Sequence, residues 1–82
     1  MYRILTESKN LDLVKASLAE LGFNYTVYRG DGSWKGQEEH SLAIELDNIT
    51  KKRARKAARL IKRVNRQEKV LLQEIPVKSE FI

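Results

Sequence analysis

Between Lys51 and Arg66, Ala54, Ala57, Ala58, Ile61 and Val64 stand at i, i+3, i+4, i+7 and i+10. Only an α-helix gathers those positions into one stripe, and basic residues fill its other faces. A helix that is apolar along one side must bury that side against another layer. Its neighbours say which. Before it, Leu42, Ile44 and Leu46 alternate with Ser41, Ala43 and Glu45, the period of a half-buried strand. After it, Lys69 to Ile75 is a β-prone run, and Pro76 belongs at its end or on an edge.

The first half of the chain repeats this logic. Tyr2 to Thr6 is β-prone. Ser8 to Asn10 can cap a helix with Asp12 in its first turn; Leu11, Val14, Leu18 and Leu21 follow at helical spacing, and Gly22 stands where a C′ glycine would. Phe23, Tyr25 and Val27 then alternate with Asn24, Thr26 and Tyr28 as in a strand. Between this strand and the one from Ser41 lies RGDGSWKGQEEHS, Arg29 to Ser41. The two strands therefore read as a long hairpin with a glycine-rich loop at its tip. The order β-α-β-β-α-β predicts an α+β fold of the ferredoxin-like kind: a four-stranded antiparallel sheet with two helices on one face, as a single domain over residues 1–82.

A chain of 82 residues builds only a thin core. It has no cysteine, so disulfides and thiolate metal sites are excluded. The open sheet face and the apolar Phe81 and Ile82 in the tail point to a homo-oligomer in which the tail packs on a neighbour. A homotrimer is the expectation by analogy with other proteins of this architecture. The N-terminal MYRILTESKN has no apolar signal region, and no run approaches the roughly 20 apolar residues that cross a bilayer, so a cytoplasmic protein without membrane attachment is expected.

The Arg29–Ser41 segment holds three of the four glycines and the only tryptophan. Gly30, Gly32 and Gly36 permit close backbone approach, and exposed N–H groups in such a segment can cradle the polar part of a ligand. Trp34 offers a face for a purine or a cation. Glu38 and Glu39 lie where the segment rejoins the strand, and either carboxylate can act as a base or pair with a cationic ligand. If Leu42 faces the helices, alternation turns Glu39 and Ser41 to the open side of the sheet. The plainer account is a loop whose Trp covers the end of the core or fills a subunit interface. His40, the only histidine, has no second histidine to share a metal and reads as a surface strand residue; no metal site is expected. There is no P-loop pattern.

Charge gives a second centre. Lys51 to Lys69 contains ten Lys/Arg and one acid, a net +9, whereas the rest of the chain has six Lys/Arg against ten acids, a net −4. Lys52, Arg55, Lys56, Arg59, Lys62, Arg63 and Arg66 make a surface that can attract phosphates, so nucleic acid or an acidic protein is a candidate partner for helix 51–66. The strand Ser41–Leu46 lacks the aromatic residues with which RNA-recognition modules of this fold stack bases. A solvated face that keeps the protein soluble accounts for the same charge.

The hairpin, with chemistry-bearing residues at its tip, resembles the small trimeric PII and CutA-type proteins. It is also similar to the phage-encoded S-adenosylmethionine lyases, in which an aromatic in a G-x-Y-type hairpin segment precedes a glutamate at the start of the next strand. Gly32-Ser33-Trp34-Lys35 corresponds to the first part, Glu38 or Glu39 to the glutamate, and the alanine-rich helix and the Val70-Leu71-Leu72 strand follow in the same order. The aromatic is Trp34 rather than tyrosine, with Tyr28 as the other candidate, and the spacing to the glutamate is shorter. The resemblance implies cleavage of S-adenosylmethionine to methylthioadenosine and homoserine lactone at subunit interfaces of a trimer, with no cofactor. It implies a ligand held by Tyr28, Gly30, Gly32, Trp34, Gly36 and Ser41, with Glu39 or Glu38 as the functional carboxylate. A PII-like module that binds a nucleotide-like ligand without turnover is the alternative.

Overall fold

Strands β1 (Tyr2–Glu7), β2 (Thr26–Trp34), β3 (Gln37–Leu46) and β4 (Leu71–Glu74) and helices α1 (Leu11–Glu20) and α2 (Lys51–Val64) run in the order β1-α1-β2-β3-α2-β4. They come from a computed structural model that describes residues 1–82, apart from the side chain of Trp34. The strands form one antiparallel sheet in the order β2-β3-β1-β4, the ferredoxin-like α+β arrangement that the sequence predicts.

Pleat parity decides which side chains meet the helices. Ile4 and Thr6 of β1 and Leu42, Ile44 and Leu46 of β3 are buried on one face, against Val14 and Leu18 of α1 and Ala54, Ala57, Ala58 and Ile61 of α2. The three alanines present little side chain and let α2 lie close to the sheet. The opposite face carries Arg3, Leu5, Ala43, Glu45 and Tyr28. There the pairing sets Tyr28, Ala43, Leu5 and Leu71 side by side, a row across all four strands. In the next row, Arg3 and Glu45 form an ion pair at 2.7 Å.

The helix ends follow from local residue choice. The Thr50 side chain caps α2 by accepting the Arg53 N–H at 3.2 Å. Both helices close with a Schellman motif. In α1, Gly22 N–H reaches Ala19 O and Phe23 N–H reaches Leu18 O, each at 3.0 Å, with Gly22 at φ 76°. In α2, Arg66 N–H reaches Arg63 O at 3.2 Å and Gln67 N–H reaches Lys62 O at 3.0 Å. Here Arg66 occupies the left-handed position, at φ 51°, where an L side chain is strained. Arg66→Gly is therefore expected to stabilise the fold by about 0.5–1 kcal/mol, read as a higher urea midpoint with unchanged slope.

The sequence and the structure differ between Arg29 and Ser41. The glycine-rich segment is not a loop. β2 and β3 stay paired through Gly30↔Ser41, Gly32↔Glu39 and Trp34↔Gln37, and only Lys35 and Gly36 turn. Both have positive φ, 50° and 76°, as a type I′ turn requires. Glycine disfavours a strand, but a continuous partner ladder overrides that preference. The start of β2 also moves. Phe23 serves as the buried residue beyond the α1 cap, and the strand begins at Thr26. Leu21 is the C-cap of α1 and is 41% exposed, so it leaves the stripe that its spacing suggests. β4 is shorter than Lys69–Ile75, although Ile75 N–H still donates to Met1 O at 2.8 Å. Phe81 and Ile82 are fully exposed on the single chain. No described helix is long and apolar enough to cross a membrane.

Candidate functional site

Because β2 and β3 are longer than the strands beside them, their paired ends project beyond the sheet as a two-stranded arm. Its register sorts the acids. Leu42 is buried towards the helices, so Glu39 and Ser41 lie on the open face with their partners Gly32 and Gly30. Glu38 and His40 lie on the other face, opposite Ser33 and Asp31. His40 Nδ1 donates to Asp31 Oδ1 at 2.7 Å, an exposed cross-strand pair that occupies the histidine.

Where the arm leaves the body, a cleft of about 790 Å³ opens. Gly32, Glu39 and Ser41 line it from the arm, Leu5 and Glu7 from β1, and Gln67, Lys69 and Leu71 from the segment that leads into β4. Gly30 stands beside it with little room to spare: a Cβ there would lie 3.1 Å from Ser41 Oγ. Among the described residues Glu39 has no hydrogen-bond or ion-pair partner, whereas Glu7 pairs with Lys9 at 2.8 Å. The cleft thus offers one unpaired carboxylate, a hydroxyl, the Lys69 ammonium and an apolar floor of Leu5 and Leu71.

One wall is fixed by a polar cluster that carries no periodic signal in the sequence. Asn65 and Thr6 are buried. Asn65 Nδ2 donates to Thr6 Oγ1 and to Gln67 Oε1, each at 3.2 Å, and Asn10 Nδ2 donates to Asn65 Oδ1 at 3.4 Å. Thr6 Oγ1 also donates to Gln67 Oε1, and Gln67 Nε2 donates to Lys69 O at 3.3 Å. The cluster joins the end of β1, the start of α1 and the end of α2, and it sets Gln67 and Lys69 against the cleft. Only the position of Asn65 directly after the helical stripe could have flagged it.

His40 also lines this cleft, and the remaining residues singled out in the sequence lie apart from it. Tyr28, 53% exposed, lines a smaller depression of about 350 Å³ with Arg3, Leu5, Ala43 and Glu45. Gly36 is in the turn at the tip of the arm, and the Trp34 side chain lies outside the described residues. Lys52, Arg55, Lys56, Arg59, Lys62, Arg63 and Arg66 are all exposed, on and just beyond α2, away from Glu39. The Tyr2 phenol, at the other end of the sheet, is pushed above its ordinary value by partial desolvation and then by the Glu74 carboxylate 3.4 Å away. Among the described residues no group of three or more His, Asp or Glu is arranged to hold a metal ion. No protein-family model matches this chain, and no curated protein matches it in sequence.

Proposed function

We propose that the cleft at the base of the hairpin arm binds a small cationic nucleotide-like molecule, and that this molecule is S-adenosylmethionine, cleaved by a lyase reaction. The observation that carries the reading is Glu39: a carboxylate without a partner among the described residues, on the open face of the sheet, in a cleft of about 790 Å³, beside Ser41 and the side-chain-free backbone of Gly32. A carboxylate so placed can hold an ammonium group at full charge. The chemistry asks little more of the protein. The ligand's own carboxylate attacks its γ-carbon as the bond from that carbon to the sulfonium breaks. The electron pair leaves with sulfur as methylthioadenosine, and homoserine lactone closes with no net proton transfer. The protein contributes geometry, which is worth several powers of ten when attacking and leaving atoms are aligned.

In this reading Glu39 orients the ammonium group, and a homotrimer turns the open faces of its sheets together so that a neighbour completes the site around the adenine and the sulfonium. The row Tyr28–Ala43–Leu5–Leu71 and the exposed Phe81 and Ile82 are the apolar surfaces available for that assembly. In this reading the protein works in the cytoplasm.

Incubation with S-adenosylmethionine, followed by chromatography, is expected to yield methylthioadenosine. Glu39→Gln should lower the rate about 100-fold or more, as loss of a charge-assisted contact at a reacting centre does. Glu38→Gln, on the other face of the arm, should change it less than about threefold, on the order of an ordinary surface substitution. Equal rates for all three proteins would sink the assignment. A ligand-induced rise in melting temperature without product would favour a binding module without turnover.

A further inference from the structure

Helix α2 carries more positive charge than its fold can use. Of its cations only Arg53 makes a described hydrogen bond or ring contact, donating to Leu21 O at 3.3 Å and lying over the Phe23 ring, 4.5 Å from its centre, while Arg55 acts through its charge on the Tyr2 phenol. The described Arg3–Glu45 and Lys9–Glu7 ion pairs and the His40–Asp31 contact all lie off this helix. Like charges instead face each other at i, i+4 through Lys51–Arg55, Lys52–Lys56, Arg55–Arg59 and Arg59–Arg63. Each such pair costs about 0.2–0.5 kcal/mol, so the arrangement opposes helix formation. Solubility alone would be served equally well by mixed signs.

The surface beside the helix is shaped as well as charged. Between α2 and β4 runs a groove of about 250 Å³, rimmed by Arg55, Arg59, Lys62 and Lys69, with Val70 and Leu72 at its base. β4 is the edge strand, so the outer backbone groups of Leu71–Glu74 are free of sheet partners. The helix is about 21 Å long at 1.5 Å per residue, the length of duplex axis over which one strand carries about six phosphates.

We infer that α2 and the adjoining edge of β4 form a docking surface for the phosphate backbone of a double-stranded nucleic acid, next to the cleft at Glu39, with which it shares Lys69 and Val70. A membrane surface fits less well, because the apolar stripe of α2 is buried in the core and its exposed side offers no large apolar residue to insert. A single strand fits less well, because its binders stack bases on aromatic side chains and α2 has none. The contacts available are to phosphates, so binding does not depend on base sequence.

The test is fluorescence anisotropy with a labelled 20-base-pair DNA duplex. With five or six phosphates neutralised, the slope of log K against log salt is about −5, so affinity falls roughly a thousandfold between 50 and 200 mM salt. Two unrelated duplex sequences should bind equally. Charge reversal at Arg55, Arg59 and Lys62 to Glu should abolish binding. Because it relieves repulsion within α2, it should leave the melting temperature unchanged or higher and leave Glu39-dependent turnover intact. A slope near zero, retained binding by the reversed variant, or tighter binding to polyglutamate or to phosphatidylserine vesicles than to the duplex would overturn the assignment. A duplex RNA arm, bound as well as DNA, would support recognition of the backbone itself.

Discussion

Leu18→Ala is expected to lower the unfolding free energy by about 3–4 kcal/mol. The reason is how little of α1 is anchored. Val14 and Leu18 are its only buried residues, whereas Leu13 is 55% exposed and Leu21 is the exposed cap. Leu18 lies in the same cluster as Phe23, Ile44, Leu46, Ala57 and Ile61, where sheet and helices meet. Truncation leaves a cavity there and removes half of what holds the helix down. A domain of this size has about 4–12 kcal/mol in total, and each lost kcal/mol lowers its melting temperature by about 4–8 °C. The variant should therefore melt at least about 12 °C lower. Leu13→Ala, at a side chain that faces water, should change stability by less than about 0.5 kcal/mol. Paired urea titrations decide the matter: similar midpoints for the two variants would show that α1 is held by something other than its buried stripe.

The second large effect concerns Asn65. Replacement by alanine is expected to cost about 2–3 kcal/mol, because it strands buried polar partners rather than deleting one bond. Thr6 and Gln67 both lose the Asn65 amide, and Asn10 loses its acceptor. Adding Thr6→Val should then cost less than Thr6→Val alone, since the hydroxyl that it removes is already deprived of a donor. The expected coupling in a double-mutant cycle is about 1 kcal/mol or more. Strict additivity would mean that water replaces the lost partner in the variant. The same cluster sets Gln67 and Lys69 at the cleft, so Asn65→Ala should also weaken ligand binding more than its distance from Glu39 suggests.

These two residues differ in how visible they are in the sequence. Leu18, like Ala54, Ala57, Ala58 and Ile61, repeats at helical spacing, and such periodicity survives translation into structure because the core accepts nothing else on that face. Leu42, Ile44 and Leu46 do the same at a period of two. Gly22 was legible as a helix stop because a left-handed position favours glycine; Arg66 was not, although it holds the equivalent position in α2. Asn65, Thr6 and Gln67 form no pattern, since Thr6 meets Asn65 and Gln67, from a distant segment, only once the chain is folded. The arm was half legible. Its glycines and acids were conspicuous, but glycine signals a loop by propensity, and only pairing with β3 shows that strands continue to Lys35–Gly36. That continuity is also what separates Glu39 from Glu38.

The ladder through the arm has a consequence for how such a chain can change in length. Below Ser41 every side chain owes its facing to an unbroken count of two from Leu42. Loss of His40 would set Glu38 in the place of Glu39 at the cleft, whereas removal of two residues from each strand would shorten the arm and keep every surviving side chain on its own side. The genetic record of this arm should therefore be written in even numbers.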